Sequence, residues 1–247
     1  MVPAAVVVAL AIAALVVVGL VRKERACAAA QEQALIRNGF SRCDGDAPQL
    51  ETVVRLLRNS SEFEVHRPWK RQVDDTVVYR YEVSREDAES TQRILDDEFL
   101  CTLKRPSEQP ILLYLSPATL GKGLGAQLIE KLLVITAPRG LEKLDPSASA
   151  HSASILAAFG PPGVALGDLV DPEQLALFAR GASHGVFAIR CHGEHCTLEL
   201  FGAYARRAME PIRWEETWAF VRRVVGSSTV GTSSHNPSRG LPQATHR

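Results

Sequence analysis

The chain has 247 residues, of which 46% are hydrophobic and 23% charged, so it is long enough to bury a core as one domain or two small ones. Its 28 basic and 28 acidic residues give a formal net charge of zero. It therefore lacks the basic excess typical of a nucleic-acid-binding protein, and we expect no nucleic-acid partner. Five cysteines, an odd number, are too few for the disulfide framework of a small secreted domain.

The N-terminus begins with an apolar run, Val2–Val21, of twenty residues without a charge. As a helix it would span roughly 30 Å, the thickness of the hydrocarbon core of a bilayer. A cleaved signal peptide would have a basic first region and a shorter apolar core. The run therefore predicts a single membrane-spanning helix with the lipid bilayer as its partner.

The residues that flank this run predict its orientation. Arg22, Lys23 and Arg25 follow it, and no Lys or Arg precedes it. The positive-inside rule then places the rest of the chain in the cytoplasm, as the soluble part of a single-pass membrane protein. A stripe of alanines within the run could also bring two such helices together, so a homo-oligomer is possible but has no other support.

Two helices are predicted before the first strand. The alanine-rich segment from residue 26 continues the first helix and stops at Gly39, a residue type favoured just past a helix C-terminus. The second helix is predicted to have Asp46 as its N-cap and Pro48 in its first turn. Its apolar face includes Leu50 and Val54.

Four strands are predicted next, over EFEVHRPW, TVVYRYEV, EFLCTLK and ILLYL. The third places Phe99, Cys101 and Leu103 on one face. The fourth, bracketed by Pro110 and Pro117, is apolar on both faces and is predicted to be a buried central strand. The segment GLGAQLIEKLLVIT after it is predicted to form a helix behind the sheet.

The second part of the chain is predicted to hold a helix, two strands and a final helix. Asp171 and Pro172 are typical of an N-cap and first helical position, and Gly181 is predicted to end that helix. The final helix has an apolar stripe formed by Trp214, Trp218, Val221 and Val225.

These elements together predict an α+β fold in three segments. Residues 1–25 form a transmembrane anchor with a basic flank, and residues 26–226 form a soluble domain of antiparallel or mixed sheet packed by amphipathic helices. That domain could divide into parts at about 40–135 and 150–226. Residues 227–247 are rich in Ser, Thr, Gly and Pro and are predicted to be a disordered tail.

The segment CHGEHC, Cys191–Cys196, packs two thiols and two imidazoles into six residues. A hairpin with His192–His195 as its loop would pair Cys191 with Cys196 and place both among the apolar side chains of one face. The opposite face would hold Arg190, Thr197 and Glu199 towards solvent. The segment therefore predicts a hairpin with cysteines in the core and histidines on an exposed turn.

Three chemical interpretations of this segment compete: a metal site, a redox pair and plain core cysteines. A metal would have to use Cys191, His192, His195 and Cys196. A structural zinc site usually has two cysteines separated by two residues and a distant second pair, whereas here the spacing is four. We favour core cysteines and expect no bound metal.

A glycine-rich segment, LGKGLGAQL, follows the apolar strand ILLYL. Backbone N–H groups in such a loop can cradle a phosphate, and the residues that would do so are Gly121, Lys122, Gly123 and Gly125. The segment matches neither a P-loop nor a dinucleotide-binding motif. We therefore favour a flexible connection and expect no cofactor.

The remaining polar clusters do not predict a catalytic site. Asp96, Asp97 and Glu98 are expected to lie in a solvated loop, since paired carboxylates matter for catalysis when burial moves their pKa values apart. The chain also contains no nucleophile elbow, metalloprotease motif or kinase motif. No residue is singled out as catalytic.

The stretch FGPPGVALGDLVDPEQLALFARGASHGVFAIRCHGEHCTLELF, followed by MEP at Met209–Pro211, resembles the end of certain uncharacterised bacterial membrane-anchored proteins. In those proteins a helix, a hairpin and a short FEP-like segment follow N-terminal hydrophobic helices. The resemblance covers about a fifth of the chain. It implies no known activity and no functional residues.

Two functions from different classes fit the sequence. The first, which we favour, is a membrane-tethered, non-catalytic interaction or scaffold domain with an unknown protein partner. The alternative is a membrane-anchored enzyme or ligand-binding protein that uses the glycine-rich loop 121–125 or the hairpin tip 191–196. A deep pocket lined by convergent polar groups would favour the alternative.

Overall fold

The computed structural model describes residues 18–19, 22, 26, 28–60, 63–85, 94–116, 129–131, 133, 139–146, 152–200 and 211–226. The predicted C-terminal tail, 227–247, lies outside these residues, as does most of the helix predicted after the fourth strand.

The first continuous helix, α1, covers residues 28–37. As predicted, it stops at Gly39, whose φ of +74° is the left-handed conformation that glycine adopts without strain. Ala34 and Leu35 of α1 are buried in the main core. The helix is therefore amphipathic and packs as part of the domain.

The prediction of a single membrane-spanning helix is contradicted. Among the described residues, no helix is both long enough and apolar enough to cross a bilayer. Of the run Val2–Val21, the described residues include only Val18 and Gly19, and the helix nearest to it, α1, has polar positions and packs against the domain. The predictions of a single-pass topology and of a membrane localisation are contradicted by the same finding.

The next elements are β1 (Ser41–Arg42), a 3-10 turn (Asp44–Asp46) and α2 (Ala47–Arg58). The predicted helix is confirmed, with Asp46 at its N-cap position and Pro48 in its first turn, but Asp46 does not cap the helix through its side chain. The Asp46 side chain makes no capping hydrogen bond and instead accepts one from Lys70 Nζ at 2.9 Å. A cation from the neighbouring strand outcompetes the backbone N–H groups.

Six further strands complete one antiparallel sheet: β2 (Phe63–Val73), β3 (Thr76–Arg85), β4 (Ile94–Leu115), β5 (Glu142–Leu144), β6 (Ile155–Gly160) and β7 (Val186–Leu200). The order is β1-β2-β3-β4-β6-β5, and β7 pairs with β4. Both parts of the chain, before and after residue 150, contribute strands to this sheet. With its helices, the described structure is an α+β fold.

The central strand β4 is 22 residues long and unites the two strands predicted over EFLCTLK and ILLYL. One edge pairs with β3 near its start and with β6 near its end, and β7 pairs along the other edge. The pairing with β7 is irregular between Thr102 and Ile111. Pro106 and Pro110 lie in that irregular stretch, where the ladder does not need their missing N–H groups. Proline therefore marks a bulge here and not a strand boundary.

Three helices follow in the second part: α3 (Leu166–Leu169), α4 (Pro172–Arg180) and α5 (Pro211–Gly226), with a 3-10 turn (Gly181–His184) between α4 and β7. The predicted cap of α4 is confirmed, because Asp171 Oδ1 accepts a hydrogen bond from the Gln174 N–H at 2.9 Å. Gly181 is needed for packing as well. A Cβ there would lie 3.0 Å from Leu115 Cδ1.

The sheet buries both of its faces. The main core lies between one face and the helices α1, α4 and α5, and it contains all four members of the predicted apolar stripe of α5. On the other face, α2 covers a smaller cluster that includes Leu50, Val54 and Tyr81. A third cluster on that face surrounds Tyr114 and Phe159.

Candidate functional site

The Cys191–Cys196 segment lies within the uninterrupted strand β7, so the predicted hairpin is wrong. Cys191 lies opposite Ile111, and Cys196 lies opposite Cys101, both on β4. The two cysteines nevertheless share a face although five positions separate them. Gly193, with a φ of +59°, breaks the alternation of the strand between them.

Both thiols lie in the main core as predicted, with residue exposures of 3% for Cys191 and 0% for Cys196. Their Sγ atoms are 3.4 Å apart. Cys101, on the neighbouring strand, points its Sγ at the Cys196 carbonyl oxygen at 3.6 Å. Contacts with both neighbouring thiols, together with burial, raise the pKa of Cys196 well above its ordinary value. The three thiols form one buried cluster of free cysteines.

The two histidines do not converge on these thiols. His192 and His195 are half-buried, and His195 Nε2 lies 3.9 Å from the Glu194 carboxylate. Within the described part of the chain, no group of three or more Cys, His, Asp or Glu side chains is placed to hold a metal ion. The other predicted site, Gly121 to Gly125 with Lys122, lies outside the described residues.

Beneath the C-terminal end of α2 is a buried network of charges, which the sequence did not predict. Arg58 of α2 donates to Glu98 of β4, and Arg190 of β7 donates to Glu199 at 2.6 Å. Arg58 also lies 3.4 Å from Glu199, and Arg190 lies 3.8 Å from Glu98. We call these four residues the charge network. Two guanidinium groups and two carboxylates thus neutralise one another inside the fold.

This arrangement corrects two predictions about exposure. Glu98, expected in a solvated loop, is fully buried, and Thr197 and Arg190, expected on a solvent face, are 1% and 8% exposed. The Glu199 side chain is 12% exposed. The predicted alternation is right, because these side chains do oppose the core cysteines, but α2 covers the face to which they point.

Tyrosines complete the charge network. Tyr81 donates its hydroxyl to Glu98 Oε2 at 2.9 Å, and burial next to that carboxylate raises the pKa of Tyr81 well above its ordinary value. Burial also raises the pKa of Tyr114, which faces Arg190. The Tyr81 hydroxyl therefore stays protonated and donates to Glu98, whereas the Tyr114 oxygen accepts from Arg190, since a guanidinium group can only donate. With its carboxylates already paired, the network serves to join α2, β4 and β7.

We expect the charge network to make the fold sensitive to acid. Burial alone would raise the pKa of Glu199, but the charges of Arg190 and Arg58 outweigh it and lower this pKa below its ordinary value of 4.5. The unfolded chain then binds the proton more readily, so stability is present above pH 4.5 and is lost as the pH falls through the folded pKa.

This expectation can be measured as the free energy of unfolding in urea at several pH values below 5. The Glu199→Gln variant should lose less stability on acidification than the wild type. Glu51→Gln, which removes a more exposed carboxylate of α2, should follow the wild type. Equal acid dependence of the wild type and Glu199→Gln would contradict the expectation.

A second set of buried charges borders an open cleft. Arg80 of β3, with a side chain 2% exposed, donates to Asp97 and lies 3.4 Å from Glu82. Burial raises the pKa of Asp97, although the charge of Arg80 opposes this shift. Glu82 is shared, because Arg67 Nη1 lies 3.7 Å from the same carboxylate oxygen. Arg80 and Arg67 therefore share one carboxylate. A third arginine, Arg42, lines the same cleft.

The cleft lies between α1 and the strands β1 to β3 and has a volume of about 540 Å³. We call it the arginine cleft, after Arg42, Arg67 and Arg80. Gln31, Glu32 and Leu35 of α1 contribute to one wall, and Trp69 and Glu82 contribute to the other. Its size is typical of a site for a small organic molecule.

Two arginines at the cleft are accessible to a ligand. The Arg42 guanidinium lies 5.3 Å from the centre of the Trp69 ring, and its side chain is 44% exposed. The Arg67 side chain is 61% exposed, and within the described structure its guanidinium makes no hydrogen bond. Each guanidinium group has five N–H donors, so both keep donors for a ligand.

Arg67 is held by an unusual backbone conformation. Its φ is +46°, a region that non-glycine residues seldom adopt, and the pairing of β2 with β3 shifts between His66 and Trp69. Bulges re-aim side chains and occur often beside functional sites. The sequence did contain a signal for this feature, since Pro68 interrupts a strand pattern and predicts an irregularity.

Two further donors at the arginine cleft lack a partner. The Nε atom of Arg80 and the Nε2 atom of Gln31 are buried and have no hydrogen-bond partner in the described structure. Buried donors are nearly always paired, so an unpaired one calls for an explanation. Because both atoms are inaccessible to solvent, the donors that a ligand could reach in the cleft belong to Arg42 and Arg67.

Comparisons with known proteins do not add to this description. No protein-family model matches the chain, and no curated protein matches it. The crystal structure of the mycobacterial trehalose monomycolate transport factor A, TtfA, is similar with 7% identity and a TM-score of 0.41, covering 79% of this chain and 96% of that one. A likeness of this strength carries no argument about this protein.

Proposed function

We propose that this domain is a non-catalytic binding module that holds a small organic anion, bearing a carboxylate or phosphate group, in the arginine cleft. The observation that carries the proposal is the guanidinium of Arg67, which lines the cleft, is 61% exposed and makes no hydrogen bond to any described residue. Arg67 itself has the left-handed backbone conformation. Planar guanidinium groups bind carboxylate and phosphate oxygens in bidentate pairs.

The support for an anionic ligand comes from the accessibility of two arginines and not from an excess of positive charge, since Glu32 and Glu82 also line the cleft. Glu82 is neutralised by Arg80 and Arg67, and Arg80 is paired with Asp97 as well. Among the described residues, Arg42 has one carboxylate neighbour, Asp44, at 3.4 Å, and that side chain is 67% exposed. Both exposed arginines thus have a carboxylate neighbour but keep N–H donors that a ligand can reach.

The apolar part of the cleft supports an organic ligand over a bare ion. Leu35 and the Trp69 ring border it beside two alanines, which leave room next to α1. The described lining contains guanidinium, amide, indole and carboxylate groups but no hydroxyl, thiol or imidazole. A carboxylate can also act as a nucleophile, but the Glu82 carboxylate is paired with Arg67 and Arg80, and this pairing favours binding over covalent catalysis.

The proposal predicts that small anions perturb particular arginines. In the full-length protein labelled with ¹⁵N, inorganic phosphate and benzoate should shift the Nε–H signals of Arg42, Arg67 and Arg80 at constant ionic strength, with dissociation constants on the order of 1 mM. The Arg67→Ala variant should lose about tenfold in affinity, or roughly 1.4 kcal/mol, because one bidentate charged contact is removed.

Arg180→Ala is the matched control, since Arg180 is exposed on α4 and does not line the arginine cleft. It should bind both anions as the wild type does. Shifts spread evenly over exposed arginines, or unchanged affinity in Arg67→Ala, would overturn the proposal. A stronger shift with benzoate than with phosphate would support the contribution of the apolar wall.

A further inference from the structure

The buried cysteine cluster has no part in the binding function proposed above, yet its geometry is specific. Cys191 and Cys196 have their Sγ atoms 3.4 Å apart on one strand, and both are free thiols. A disulfide requires an S–S distance of about 2.05 Å, so the two sulfurs need to approach by little more than an ångström. We call these two residues the thiol pair.

One member of the thiol pair, Cys191, borders a small cleft. A small cleft of about 150 Å³ lies beside α4, and Cys191 forms part of its lining together with Ile111, Val170 and Phe178. Cys196 and Cys101 do not line it. Cys191 is 3% exposed and Cys196 is 0% exposed, so a small oxidant that enters this cleft would meet Cys191 first.

We propose that the thiol pair is an oxidisable dithiol, in which Cys191 reacts with a small peroxide and Cys196 resolves the product as a disulfide. The Cys191 thiol loses its proton to solvent in the cleft, and its sulfur attacks one peroxide oxygen. An S–O bond forms, the O–O bond breaks, and the released hydroxide takes up a proton as water. Cys191 is then a sulfenic acid.

The second step closes the disulfide. Cys196 Sγ attacks the Cys191 sulfur, an S–S bond forms, and the S–O bond breaks. The leaving hydroxide takes the Cys196 proton and departs as water. Two thiols are thus oxidised by two electrons, and one hydrogen peroxide is reduced to two molecules of water.

The surrounding structure favours this disulfide and also sets its rate. Gly193 lies between the two cysteines with a positive φ, so the short segment between them already follows the irregular path that brings their side chains together. Burial opposes the thiolate form, and the pKa of Cys196 is raised. Oxidation should therefore be slower than that of an exposed thiol but should yield one defined product.

Oxidation of the thiol pair would also reach the opposite face of the sheet. The six-residue ring closed by the disulfide contains Glu194 and His195, which line a separate cleft of about 440 Å³ beside Tyr79 and Asp75. Fixing this segment would restrict how those two side chains move. The redox state would thus be coupled to the shape of a second surface.

The experiment treats the native, full-length protein with hydrogen peroxide, alkylates the remaining thiols in denaturant, and maps the tryptic peptides by mass spectrometry. Both cysteines lie on one peptide, since cleavage is expected after Arg190 and Arg206. The expected product is that peptide lighter by two hydrogens and unalkylated, with full alkylation restored after reduction. Cys43, which is buried apart from the cluster, is an internal control that should remain alkylatable.

Two variants separate the roles of the cysteines. Cys101→Ala should still form the disulfide, whereas Cys191→Ala should leave Cys196 fully alkylatable. Circular dichroism would show that each variant keeps its fold. A Cys101–Cys196 disulfide, a sulfinic acid on Cys191, or two unmodified thiols in the wild type would each overturn the proposal, and these wild-type results do not depend on any variant folding.

Discussion

Replacing Glu98 with alanine is expected to lower the free energy of unfolding by about 3–5 kcal/mol, because breaking a buried ion pair leaves an uncompensated charge in the interior. Glu98 is fully buried and accepts hydrogen bonds from Arg58 and Tyr81. Without it, two guanidinium groups would share one carboxylate, and the Tyr81 hydroxyl would lose its acceptor. The measurement is urea or guanidinium denaturation followed by circular dichroism.

A matched control comes from α2, the helix that carries Arg58, the partner of Glu98. Arg55 and Glu51 form an exposed ion pair of α2 at 2.7 Å, and Glu51→Ala should cost less than about 1 kcal/mol. The double variant Arg58→Met with Glu98→Leu should cost less than the sum of the two single changes, since it removes one charge of each sign. Additive losses, or a loss in Glu98→Ala as small as that in Glu51→Ala, would show that the charge network is not stabilised as a unit.

Replacing Trp218 with alanine is the second change expected to have a large effect, again about 3–5 kcal/mol. Trp218 is 1% exposed, and its ring centre lies 4.9 Å from that of Phe40 and 6.4 Å from that of Phe99. The Arg71 guanidinium lies 4.9 Å from the same ring. The alanine variant would leave a large cavity where α5, β4 and Phe40 meet.

Thermal and denaturant unfolding of Trp218→Ala measure this loss. Trp218→Phe should fall between the wild type and the alanine variant because it fills part of the cavity. Glu216→Ala, an exposed change on the same helix, should stay within about 0.5 kcal/mol of the wild type. A small effect of Trp218→Ala would mean that α5 does not anchor the core.

Local signals in the sequence predicted the helices well. The N-cap of α4 at Asp171, the end of α1 at Gly39 and the apolar stripe of α5 all depend on residues within a few positions of one another. Such interactions form in the same way whatever the rest of the chain does. Asp46 does lie at the N-cap of α2, but its side chain binds Lys70 of β2 and not the helix backbone, and this contact is distant in sequence.

Strand pairing was less predictable, because identical side-chain patterns arise from different backbones. A hairpin with a four-residue loop and a continuous strand with a kink at Gly193 both place Cys191 and Cys196 on one face. The deciding interaction is with β4, a partner distant in sequence. The pattern therefore predicted which side chains enter the core, but it could not determine what pairs with them.

The candidate site was not predictable for a related reason. Alternation of apolar and polar residues marks two faces of a strand, yet it cannot tell whether a helix covers the polar one. Glu98, Arg190 and Glu199 look like solvent-facing residues until α2 brings Arg58 over them. Likewise, the arginines of the cleft come from β1, β2 and β3, and nothing in their spacing brings them together.

The long pairing of β4 with β7 constrains how the protein can be synthesised. Cys101 and its partner Cys196 are separated by 95 positions in the chain. At ribosomal rates of 5–20 residues per second, β4 emerges roughly 5–20 s before β7. During that interval β7 does not yet pair with the edge of β4. The last residues of β4 are apolar on both faces. Nascent chains are thus exposed to aggregation or chaperone binding until translation passes residue 200, and the centre of the sheet must form late and cooperatively.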